Sequence, residues 1–228
     1  MRAPKAIIFD IGGTVLEERR YDLEAGVRVV IGGDLDIAAQ VCREFRSEVH
    51  DSHAVDREVD LPKWLAKRLS LRDDMATLED SLWDAIATLV PVRGTEAVLC
   101  RLKSDRIPLA AISNAPFCGR ILEANLEKYG LRSYFQFVVS SADVGFRKPA
   151  AAIYEAALSR LGVAADQTWF IGDTLHEDIV GAARAGLQPI WIAQDVVKPG
   201  TDYPGLRVRD WNEFMSVYDA TIAGKGAG

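Results

Sequence analysis

The sequence predicts an α/β protein, a parallel sheet covered by helices on both faces, with an all-helical unit inserted near its start. Three observations lead there. Short apolar runs that suit buried strands, residues 6–9 and 107–112 among them, alternate with helical stretches from Gly94 onward. The text from Glu17 to about Pro91 carries helical spacing only. Several of the strand-like runs end on polar residues, as strands do at the ligand-binding edge of an open sheet.

Size and composition set the bounds. The 228 residues suit one domain, or one domain with a sizeable insertion. An apolar fraction of 49% is ample for a core, and a net charge of -6 argues against a nucleic-acid surface, which wants a basic patch. No apolar stretch approaches the ~18 residues that span a bilayer. Residues 1–5 run straight into the first strand and leave no room for a signal peptide, so a cytoplasmic protein is expected. Cys42, Cys100 and Cys118 are odd in number and form no C-x-x-C pair, which predicts reduced, mostly buried thiols.

Taken in order, Ala6 to Phe9 form a buried strand ending at Asp10. Asp34 caps a helix whose apolar face is Ile37, Val41, Cys42, Phe45 and Val49. Pro62 opens a second helix that presents Leu61, Trp64, Leu65, Leu69 and Leu71. Leu78, Leu82, Ile86 and Leu89 continue as a third face, and no strand is expected between residues 17 and 91. From Gly94 the spacing predicts a helix over 95–104, a strand over 107–112, a helix over 119–129 and a strand over 135–139. A helix over 150–161, a strand over 168–171, a helix over 177–185 and a strand over 188–192 follow. A short helix after Trp211 and a frayed tail over 224–228 close the chain.

Four strand ends then carry the chemistry: Asp10 followed by Gly12, Gly13 and Thr14; Ser113 and Asn114; a basic residue, Lys148, in Gly145-Phe-Arg-Lys-Pro149; and Gly172-Asp173. In a doubly wound sheet the carboxyl ends of parallel strands share one edge, so these groups converge despite their sequence separation. Gly12 and Gly13 let the backbone turn sharply and bring its amides near an anion. Asp10 is thereby placed to act as a nucleophile or metal ligand, although an isolated Asp-x-Gly-Gly reads equally as a strand-ending turn.

The four motifs together resemble the haloacid dehalogenase superfamily, whose members are mostly Mg²⁺-dependent phosphatases. The last motif, Gly172-Asp173-Thr-Leu-His-Glu-Asp178, matches its G-D-x-x-x-x-D pattern, and residues 17–91 match its α-helical cap, inserted after the first motif. The resemblance implies a Rossmann-like three-layer core over 1–16 and 92–228 and a small phosphorylated substrate. It implies that Asp10 attacks phosphorus to form an aspartyl-phosphate. It implies Mg²⁺ held by the Asp10 side chain, the Gly12 carbonyl and Asp173, with Asp178 as ligand or support. Lys148 and Ser113 would complete the catalytic set. Gly13, Thr14, Ser113, Asn114 and Lys148 would surround the phosphate.

One position departs from the pattern. Hydrolytic members carry a second Asp two residues after the nucleophile, which protonates the leaving group and then activates water; here that residue is Gly12. The role it leaves open is typically worth roughly 10²–10⁴ in rate. Three readings follow: substrates with good leaving groups; substitution by another group, with Glu17, Glu18 and His176 nearest in sequence; or a weak or inactive relative that binds a phosphorylated ligand. Dehalogenase members lack this Asp too, but their reaction needs no metal, and the pair Asp173 and Asp178 favours phosphatase chemistry. His50 and His53 at helical spacing read as a solvated face before a metal pair, and Trp64 and Trp83 as core before a substrate box. Arg147 is either an extra phosphate contact or a solvated side chain, and Cys118 a buried thiol. Oligomeric state is open between monomer and homodimer.

Overall fold

The computed structural model describes residues 2–72, 74–193 and 202–224. Strand β1 (Ala6–Asp10) is buried throughout and leads, through residues 11–15, into β2 (Leu16–Tyr21). Helices α1 (Leu23–Ile31), α2 (Leu35–His53), α3 (Leu61–Leu69) and α4 (Met75–Ile86) follow, and β3 (Ala87–Pro91) returns antiparallel to β2. Each of the four helices starts on an aspartate. Asp22, Asp34, Asp60 and Asp74 accept from the backbone N–H of Ala25, Ile37, Lys63 and Thr77 at 2.9 to 3.0 Å. Such caps are worth about 0.5–2 kcal/mol each.

The remainder is a βα succession. It comprises α5 (Thr95–Ser104), β4 (Leu109–Ser113), α6 (Gly119–Lys128), β5 (Val138–Ser140), α7 (Ser141–Val144) and α8 (Ala151–Leu161). Then come β6 (Thr168–Gly172), a π-helical turn (Leu175–Val180), α9 (Gly181–Arg184), β7 (Gln188–Ile192), β8 (Leu206–Val208) and α10 (Trp211–Gly224). Six strands form one parallel sheet in the order β5-β4-β1-β6-β7-β8. Residues along a strand alternate between its faces, and here both faces are buried. Ile7, Phe9, Leu109, Ala111, Trp169 and Ile171 pack with Val98, Leu102, Phe214 and Tyr218 on one side. Ile8, Ala110, Ile112 and Phe170 pack with Ile153, Tyr154 and Ala157 on the other. The core is therefore a Rossmann-like three-layer α/β fold.

Helices α1–α4 have an apolar cluster of their own, built from Val27, Val41, Phe45, Leu61, Leu65, Leu82 and Ile86 among others. Phe117 and Ile121 from the sheet side join it, and the Phe117 ring meets Trp83 edge-on at 5.1 Å. Trp64 packs on Phe45 in the same manner at 5.2 Å. Both tryptophans are packing residues, as their spacing predicts.

The expectation of no strand between 17 and 91 is corrected by β2 and β3. The β2 sequence, Leu-Glu-Glu-Arg-Arg-Tyr, has four charged residues in a row and becomes exposed after its first two residues, so it carries no apolar alternation. Its pairing comes from the antiparallel partner where the chain leaves and re-enters the core. Leu89 continues the helical period of Leu78, Leu82 and Ile86, yet α4 stops at Ile86 and β-branched Thr88 and Val90 flank Leu89 in β3. The other shifts are smaller. The 177–185 helix is a π-helical turn followed by α9, β8 has no sequence counterpart, and α10 runs for 14 residues rather than a short stretch. Of the frayed tail, residues 225–228 lie outside the described residues. Cys42 is buried and Cys118 partly so, but Cys100 is exposed. Among the described residues no helix is long and apolar enough to cross a membrane.

Candidate active site

Parallel register brings the strand ends together. Asp10 at the end of β1 lies beside Ile112 of β4, and Ser113 beside Ser140 of β5. β6 ends at Gly172, on the other flank of β1. The four sequence motifs therefore meet at one edge of the sheet.

Lys148 is the hub. Its side chain is 2% exposed, and its Nζ donates to Asp10 Oδ1 at 2.5 Å and to Asp178 Oδ1 at 2.6 Å. The ammonium also lies 5.6 Å from the Phe170 ring centroid. Asp178 Oδ2 accepts from the amides of Asp173 and Thr174 at 3.2 and 2.9 Å. Both oxygens of Asp178 are thus engaged, and the side chain fixes the turn after β6. Asp10 differs: its Oδ2 is buried with no hydrogen-bond partner among the described residues, and Thr14 Oγ1 is in the same state. Buried polar atoms left this way cost free energy unless something else satisfies them. Asp10, Asp173 and Asp178 each offer an oxygen within 4.8 Å of the others. An all-oxygen set with one orphaned carboxylate oxygen suits a hard cation such as Mg²⁺.

The electrostatics agree with that fit. Burial pushes the Asp10 carboxyl up to about 8; the Lys148 ammonium opposes this, and Asp178 and Asp173 add to it. Burial also pushes Asp173 up to about 6, with Asp178 contributing. Burial works against the charge on Lys148, but Asp10 and Asp178 more than offset it and hold the ammonium above the usual lysine range. The site has more negative charge than Lys148 alone neutralises.

The two glycines are not equivalent. Gly13 has φ +84°, and a Cβ there would sit 2.3 Å from Asp173 Oδ2, so this position demands glycine. At Gly12 the backbone is not left-handed, and no described atom lies within 4 Å of where a Cβ would stand. Ser113 is buried at the end of β4. The side chain of Asn114 is occupied by the backbone of the lysine loop. Its Nδ2 donates to the Lys148 carbonyl at 3.0 Å and to Glu177 Oε2 at 3.0 Å, while its Oδ1 accepts from the Lys148 amide at 2.7 Å.

The Arg147 side chain is engaged by protein groups. Its Nη2 donates to Glu177 Oε1 at 3.0 Å, its Nη1 lies against His53 Nδ1, and its Nε is 3.9 Å from Glu58 Oε2. His176 is exposed. The Cys118 thiol donates to Glu79 Oε2 at 3.1 Å, and burial together with that carboxylate pushes its pKa up, which makes it a poor nucleophile. Glu177 and Glu58 were not singled out by sequence reasoning. Glu177 sits inside the Gly172–Asp178 motif, where its neighbour Asp178 drew the attention; Glu58 has no local signal.

A family model for haloacid dehalogenase-like hydrolases matches residues 4–186, and the chain belongs to that family. It is 30% identical over 212 residues to the glyceraldehyde 3-phosphate phosphatase of Methanothermobacter thermautotrophicus, covering 87% of this chain and 90% of that one. It is 36% identical over 212 residues to the 5-amino-6-(5-phospho-D-ribitylamino)uracil phosphatase of Escherichia coli, covering 82% of each. A HAD phosphatase from Thermococcus onnurineus has the same fold, with a TM-score of 0.66 at 23% identity over 95% of this chain and 97% of that one. Family membership makes this chain a hydrolase.

Proposed function

We propose that this hydrolase is a Mg²⁺-dependent phosphatase that transfers the phosphoryl group of a small phosphorylated metabolite to Asp10 and then to water. The observation that carries the reading is the Asp10 carboxylate: one oxygen is held by Lys148 and the other is buried without a partner, beside two further carboxylates. Asp10, Asp173, Asp178 and the Gly12 carbonyl would hold the cation. Mg²⁺, when bound, supplies positive charge that offsets repulsion between a carboxylate and a phosphate dianion. Lys148 keeps Asp10 oriented through a fixed charge that needs no reorganisation. Ser113 and Thr14 donate to the phosphoryl oxygens, whereas the Gly13 N–H is taken by the Leu16 carbonyl at 2.8 Å, and Asn114 shapes the loop by holding Lys148. Residues 17–91 act as the cap that excludes water and reads the organic part of the substrate, with 1–16 and 92–228 as the core.

Phosphate release from aryl and acyl phosphates in Mg²⁺, abolished by chelator, is the expected result. A chain that is stabilised by phosphate ligands but turns over none of them is instead a binding protein, the reading that Gly12 favours. Halide release from 2-halo acids in chelator would assign it to dehalogenation.

The carboxylate pKa values give a second prediction. Asp10 and Asp173 are raised above their ordinary 3.8, to about 8 and about 6. The metal-free fold therefore holds protons that the unfolded chain releases, and its stability falls as pH rises from about 4 towards 8. The cation takes the place of those protons. The rise in Tm on adding Mg²⁺ should grow between about pH 5 and pH 8. A thermal-shift series checks this, and a Tm indifferent to Mg²⁺ at every pH removes the metal from the proposal.

A further inference from the structure

We infer that Glu58, which lies outside the reacting groups, is a positioning residue that ties the 17–91 unit to Lys148. The inference rests on the reading of Asp10 and Lys148 as the reacting pair. Two kinds of contact carry it.

The first is a backbone ladder. Glu58 N donates to the Gly145 carbonyl at 3.2 Å, and Arg147 N donates to the Asp56 carbonyl at 3.0 Å. Arg57 and Phe146 form an antiparallel bridge between these bonds, with the Arg57 guanidinium 4.5 Å from the Phe146 ring centroid. The loop that carries Lys148 is in effect paired with the segment joining α2 to α3. The second is a buried side-chain relay. The Glu58 side chain is 3% exposed, and its Oε2 accepts from Ser141 Oγ at 2.7 Å and faces Arg147 Nε at 3.9 Å. Its Oε1 accepts from Val59 N at 3.1 Å and lies 3.4 Å from His53 Nε2. Arg147 passes to Glu177, Glu177 to Asn114, and Asn114 holds the Lys148 peptide at both its N–H and its carbonyl.

Arg147 precedes Lys148 and Glu177 precedes Asp178, so the Arg147–Glu177 pair fixes the two loops whose next residues meet at Nζ. A buried carboxylate is retained only while it stays paired. A rigid rotation of the 17–91 unit would unpair Glu58, break the ladder and loosen Lys148. The reactive geometry is therefore complete only with the unit seated. Rate depends steeply on such placement, and a misplacement of about 1 Å can cost about 10²-fold.

The test pairs kinetics with amide exchange in the full chain. Glu58→Gln keeps the shape and one acceptor oxygen, for Ser141, gives up the acceptor that the Val59 N–H uses, and removes the charge facing Arg147. Arg147→Lys cuts the relay at its other end. Each should lower kcat on an aryl phosphate by about ten- to hundredfold with KM within about twofold, and the double variant should lose little more than either single one. Exchange at amides 145–148 should quicken in both variants while that of α6 stays unchanged. Glu44→Gln, which removes an exposed ion pair with Arg68 on the same helical unit, should move neither readout. Folded Glu58→Gln with wild-type kcat and wild-type exchange at 145–148 overturns the inference, as does a loss confined to Tm. If the wild type turns over no phosphate, the reading of Asp10 fails alone, and the exchange measurement still decides the coupling.

Discussion

Gly12→Asp raises the hydrolysis of alkyl phosphates by about 10²- to 10⁴-fold and that of acyl phosphates far less. Alkyl oxyanions leave poorly without a proton, whereas acyl phosphates expel a stable carboxylate unaided. A carboxyl two residues after Asp10 supplies that proton and afterwards serves as a base for water. The structure admits it: the Gly12 backbone is outside the left-handed region and the space over it is open among the described residues. Gly13, one residue on, admits nothing, because Asp173 fills the place of its Cβ. The variant should therefore fold, which a thermal melt checks before any rate is compared. Equal gains on alkyl and acyl substrates would mean that another group already acts as the acid.

Asp10→Asn should lower turnover by at least about 10³-fold, because it removes the only group in the proposal that forms a bond to phosphorus. The fold should survive. Asparagine has nearly the same shape as the aspartate, and burial already works against a charge at this position. Lys148 keeps its second carboxylate, Asp178, at 2.6 Å. Folded protein, bound phosphate and lost turnover together assign the chemistry to Asp10. Full turnover in the variant would move the nucleophile elsewhere.

The sheet was legible because its central strands are buried on both faces, and such strands read as uninterrupted apolar runs: Ala6–Asp10 and Thr168–Gly172 are buried at every position. Asp10, Ser113 and Asp173 were legible because each ends or directly follows such a run; Lys148, which comes after β5 and α7, was legible through the family motif. The β2–β3 pair was not, since Glu17 to Arg20 owe their extended shape to a partner some seventy residues away and not to any pattern of their own. The seam through Glu58, Arg147 and Glu177 was hidden for the same reason. A carboxylate becomes a buried partner only once two distant loops meet, and residue 58 stands 89 positions before residue 147. Asn114 stands out in the sequence by its place after the strand, but its bonds to both ends of the Lys148 peptide depend on a loop that arrives 34 residues later.

The most direct test of the central claim is an acid quench during turnover of a phosphate-labelled acyl or aryl substrate in Mg²⁺. With no aspartate at position 12 to activate water, breakdown of the phosphoenzyme is slow by about 10²-fold or more, so the label should accumulate on the protein. A hydroxylamine-labile label should map to Asp10, be absent in Asp10→Asn and in chelator, and be shorter-lived in Gly12→Asp. Folded wild-type protein that releases phosphate with no label at any time from milliseconds to minutes, or with the label on another residue, would contradict it.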